Sequence, residues 1–155
     1  MSLAIDFRLA GAGWADCTVK SEAQQTELTA SYLSDALGNL LVAAVAVLSG
    51  AHAISIGFDE EPGEYRWSLQ RVDNESLSVK VLEFQELWGN KPDSQGSLLF
   101  EHLCHPLEFA QAVQAAASKV LELHGLKGYQ QKWGQHAFPS KQLEMLGELV
   151  ARWQQ

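Results

Sequence analysis

The stretch Ser34–Gly50, SDALGNLLVAAVAVLSG, is the most apolar run in the chain and limits what the rest can fold into. Ala36, Leu37, Leu40, Leu41, Ala44, Val45 and Leu48 recur at spacings of three and four, which predicts a helix. Ser34 stands where an N-cap is wanted, with Asp35 in the first turn, and Gly50 supplies the stop. From Leu40 onward Val42, Ala43, Ala46 and Val47 fill the remaining positions, so the second half is apolar on every side. Such a helix expects cover all round. At about 1.5 Å per residue it is roughly 24 Å long. Gly38 and Asn39 interrupt it, and a bilayer span needs about 20 mostly apolar residues, so it reads as a core helix.

A chain of 155 residues that is 46% hydrophobic has enough material for one globular domain. The start, MSLAIDFRLA, lacks the basic and apolar regions of a signal peptide, and two cysteines, Cys17 and Cys104, make no disulfide framework. A reduced, cytoplasmic protein is the expectation. The net charge of −8 is uneven: residues 1–64 hold nine acids and two bases, residues 65–155 ten acids and nine bases. An acidic half argues against nucleic acid, whose affinity rests on Lys and Arg at phosphates, and suits a cationic partner. Acids that only keep a small protein soluble are the plainer alternative.

Apolar alternation places strands on both sides of the central helix. Leu3, Ile5, Phe7 and Leu9 share one face of the first strand, and 14–20 pairs back across Gly11–Gly13. The threonines of TELTASY favour a third strand. Beyond Gly50, a fourth strand carries Ile54, Ile56 and Phe58 and a fifth Tyr65, Trp67 and Leu69. Between them Pro62-Gly63 suits a type II turn. In the sixth strand, Ser76–Phe84, the apolar face shifts by one residue, which predicts a bulge near Val81–Leu82. After the loop WGNKPDSQG and a seventh strand to Cys104, His105-Pro106 opens a long helix with Glu108 at N3, placed to reach back to the cap. Leu107, Ala110, Val113, Ala117, Val120 and Leu121 form its core face, and Gly125 ends it. A short helix over 127–133 and a last one from Pro139 follow. The order β-β-β-α-β-β-β-β-α-α predicts an α+β domain, a single antiparallel sheet of six or seven strands with helices on one face.

Gly13-Trp-Ala15, Ser31-Tyr-Leu-Ser-Asp-Ala-Leu-Gly38, Asp59-Glu-Glu-Pro-Gly-Glu-Tyr-Arg-Trp67, Lys132-Trp-Gly134 and Phe138-Pro139 together resemble a family of small uncharacterised bacterial proteins. The resemblance covers most of the chain and implies a single-domain bacterial cytosolic protein, with no activity attached. In size and charge alone the chain is similar to immunity proteins that neutralise secreted toxins, a loose analogy.

Three groups of residues have the chemistry for a site. Asp59, Glu60, Glu61 and Glu64 put four carboxylates on one turn, and Trp88 begins the longest loop. Acids with an aromatic anchor fit a docking surface for a basic protein partner; a solvated hairpin tip is the structural alternative. His102, Cys104 and His105 are the densest metal-type ligands, with His102 and Cys104 on one strand face, but no CxxC or HExxH completes a set. Cys104 beside a helix N-terminus also expects a lowered thiol pKa, the direction of a nucleophile. An inert core thiol and a capping histidine are the alternatives. Lys132-Trp-Gly134 with His136 reads as a packed connection. No GxGxxG, Walker A or GxSxG occurs, and no cofactor or catalytic residue is assigned. The expectation is a non-catalytic interaction protein. The alternative is a ligand binder or enzyme built on 102–105, and a homodimer would cover the central helix.

Overall fold

A computed structural model of the chain describes residues 3–134 and 136–155. The elements run β1 (Ala4–Leu9), β2 (Trp14–Lys20), β3 (Gln25–Ser31), α1 (Ala36–Leu48), β4 (Ala53–Asp59), β5 (Glu64–Asp73), β6 (Ser76–Phe84), β7 (Ser97–Cys104), α2 (Pro106–Trp133) and α3 (Ser140–Trp153). This α+β order is the expected one. The single sheet is not: the strands form two antiparallel meanders, β1-β2-β3 and β4-β5-β6-β7.

The physical reason lies at the edge of β4. The Asn39 side-chain amide donates to Gly57 O at 3.3 Å. The Asp59 N–H donates to Ser34 Oγ at 3.0 Å, and Ser31 Oγ donates to Asp59 O at 3.0 Å. Side chains from the end of β3 and the start of α1 thus occupy backbone groups that a neighbouring strand would need. Ser34 therefore serves the strand rather than the helix. Asp35 caps α1 instead, its carboxylate accepting from Gly38 N–H.

A chain of aromatic contacts joins the two sheets into one core. Phe7 meets Phe58 edge-on at 6.1 Å, Phe58 meets Trp67 at 5.8 Å, and Trp67 meets Phe109 at 6.4 Å. α1 packs on α2, α3 and β4, while α2 also lies against β1. The expected all-round burial of α1 is corrected here: Val42 remains 48% exposed, and α3 shares the covering with α2.

The bulge lies where the alternation breaks. Val81 pairs with Phe100 and Leu82 with Leu98, leaving Leu99 without an opposite number, so Val81 and Leu82 are both buried. Gly125, at φ 67° and ψ 178°, kinks α2. The second arm carries Tyr129 and Trp133 into the core, where Tyr129 meets Phe138 edge-on at 5.3 Å. The Lys132 carbonyl accepts from Gly13 N–H at 2.6 Å, so the Lys132-Trp-Gly134 motif closes the molecule against the β1–β2 turn.

Candidate functional site

The β4–β5 hairpin holds the acidic turn, with Asp59 and Glu64 paired across it. Gly63 does not take the positive φ that a type II turn requires, and the Glu61–Pro62 bond is cis. The tip is pressed onto the chain leaving β6. Leu87 N–H donates to Pro62 O at 2.8 Å, and a Cβ on Gly63 would stand 2.2 Å from the Phe84 carbonyl oxygen. Residues 84–88 are thereby bound to the acidic turn.

Trp88 is where the two segments meet. Its backbone is left-handed, φ 59°, uncommon for a bulky residue. The residue is 69% exposed, yet its indole N–H donates to the Asp59 carboxylate at 3.0 Å. Asp59 and Trp88, 29 residues apart, are thus brought together. The other acids divide. Glu60 accepts from the Thr29 hydroxyl. Glu64 lies 3.8 Å from Arg66, which also reaches Asp93 and the Lys91 carbonyl. Glu61 is exposed, without a basic partner among the described residues. Two acids outside the predicted set belong to the same end: Glu83, opposite Tyr65 on β6, and Glu86, 3.8 Å from Lys91. Burial, then the charges of Glu60 and Glu83, raise the Tyr65 phenol pKa above its ordinary value. Their place beside the turn depends on hairpin register, which the local pattern around 59–64 does not contain.

The second region is the junction of β7 and α2. His102 and Cys104 share the inward face of β7, as the alternation predicts. His105 does not join them. It caps α2, its Nδ1 accepting from Leu107 N–H at 3.0 Å, and meets Trp153 edge-on at 5.9 Å. Glu108 takes the third place. Rather than reaching back to the cap, its Oε2 accepts from Leu3 N–H at 2.7 Å and lies 3.5 Å from His102 Nε2. Donor atoms of His102, Cys104 and Glu108 all lie within 4.8 Å of one another. The Cys104 thiol is pushed up to about 12 by burial and then by the Glu108 charge, against the lowering expected at a helix N-terminus. It is therefore an inert thiol by itself. A groove of about 560 Å³ between β1 and α2, lined by Leu3, Ile5, Leu107 and Glu108 among others, opens beside this cluster.

No protein-family model, curated protein or solved structure matches the chain. Among the described residues no helix is long and apolar enough to cross a membrane.

Proposed function

We propose that the chain is a non-catalytic interaction protein of the bacterial cytosol, docking a basic segment of a protein partner at the acidic end formed by the β4–β5 turn and residues 83–88. The observation that carries this reading is Trp88. A mostly exposed indole, fixed to Asp59 in a left-handed backbone, is a pre-ordered aromatic anchor. The acids around it supply charge complementarity: Glu61 and Glu83 have no basic partner among the described residues. Such a surface favours a cationic partner and speeds its approach.

The test is affinity capture from bacterial lysate with wild type, Trp88→Ala and the double variant Glu61→Lys/Glu86→Lys. Glu64 is left alone because it and its partner Arg66 are mostly buried, Glu60 because it accepts from the Thr29 hydroxyl; the Glu86 pair with Lys91 is exposed on both sides. The expected outcome is a protein recovered by wild type, weakened by added salt and lost with both variants. Recovery of the same proteins by all three, or of none, defeats the reading. A partner that is a secreted toxin would make the protein an immunity protein.

A further inference from the structure

We propose that His102, Cys104 and Glu108 bind one divalent transition-metal ion of the zinc class, with solvent in the fourth position. This inference is independent of the acidic surface, which is built from other residues.

Imidazole, thiolate and carboxylate are a donor set that zinc accepts, and three protein ligands plus one open position is an established tetrahedral arrangement. The fold brings them together from two elements. His102 and Cys104, two apart, project from the inner face of β7; Pro106 starts α2 at once, so Glu108 at N3 sits over the end of the strand it follows. The donor atoms already lie within 4.8 Å of one another. Bonds of about 2.0–2.3 Å place tetrahedral ligands roughly 3.3–3.8 Å apart, so an ion needs only about an ångström of closure.

The second observation is His102 itself. Five buried side-chain polar atoms lack a hydrogen-bond partner among the described residues: Trp67 Nε1, Arg71 Nε, His102 Nε2, Tyr129 Oη and Trp133 Nε1. The Trp and Arg nitrogens are donors only, and Tyr129 lies outside the cluster, whereas His102 Nε2 stands 3.5 Å from Glu108 Oε2, in the group it forms with Cys104. Glu108 has the support a ligand needs, since the Leu3 N–H holds its carboxylate in place. It also lines the groove beside β1, the side from which solvent reaches it.

The test uses the full chain purified without chelator and stripped of metal, then titrated separately with Co²⁺ and Zn²⁺. Expected are one ion per chain, a thiolate-to-cobalt charge-transfer band in the near ultraviolet, and a zinc-dependent rise in melting temperature. Cys104→Ser abolishes the band; His102→Ala and Glu108→Gln each weaken zinc at least tenfold; His52→Ala, at an exposed site, changes neither. Absence of both the band and the melting shift in wild type overturns the proposal and leaves only a 3.5 Å contact between His102 and Glu108. Zinc binding that persists undiminished in His102→Ala and Cys104→Ser also overturns it, as an adventitious surface ion. Should a variant fail to fold, the wild-type cobalt spectrum alone decides.

Discussion

At the scale of single residues, neighbouring side chains exchange the tasks that local rules assign to them. Ser34 and Asp35 are both good N-caps, and the local pattern favours the first. Ser34 instead accepts from Asp59 N–H, leaving Asp35 to accept from Gly38 N–H. Asp35→Ala should therefore cost about 1 kcal/mol, the usual loss for an N-cap, read from urea denaturation. Ser34→Ala should also destabilise, by orphaning a strand N–H rather than a helix one. Equal stability of Asp35→Ala and wild type would show that α1 does not depend on this cap. Glu108 gives the same lesson. Its position suits a capping box, but the Leu3 N–H is the donor it finds.

At the scale of elements, β1 and α2 are joined by charge as well as by packing. Lys119 on α2 donates to Asp6 on β1 at 2.9 Å, and Arg8 donates to the other carboxylate oxygen. The Lys119 contact, followed by Arg8, holds the Asp6 carboxyl below its ordinary 3.8. A depressed folded-state pKa contributes stability that is present above that ordinary value and lost as pH falls through the lower one. Lys119→Met should lower the melting temperature at neutral pH, with the difference from wild type shrinking below about pH 4. A difference constant down to pH 2 would show that the substitution acts through packing alone. The β4–β5 hairpin and residues 84–88 form a second element pair, joined by the Leu87–Pro62 hydrogen bond and the close approach at Gly63. Trp88→Ala, which removes a mostly exposed ring, should change stability by only about 0.5 kcal/mol, so its effect on partner capture can be read separately.

At the scale of the whole molecule, the two sheets share one core through Phe7, Phe58, Trp67 and Phe109. They should unfold together: far-ultraviolet circular dichroism and the fluorescence of buried Trp67 and Trp133 should give coincident denaturation curves. Two separated transitions would mean that the sheets are independent units. Phe58→Ala, which removes the ring between both sheets, should cost about 3–5 kcal/mol in the same experiment.

Much of this architecture is legible in residue order because the information is periodic and local. Alternation marks the strands, the three-and-four spacing marks α1, Gly125 breaks α2 with a positive φ, and the change of face at Val81–Leu82 marks a bulge that the β6–β7 register contains. The acidic turn and the inward pair His102 and Cys104 are legible for the same reason. Which strands share hydrogen bonds is a different kind of question. Asn39, Ser34 and Ser31 block the edge of β4 with side chains, and only their positions in space make two sheets of what reads as one. Tertiary structure alone joins Trp88 to Asp59 and exchanges His105 for Glu108, because those pairings depend on where the chain returns. Residue order determines which faces must be buried, since burial follows side-chain chemistry at each position. The partner of each polar group, and with it the shape of both candidate sites, is decided only when distant segments compete for the same donors and acceptors.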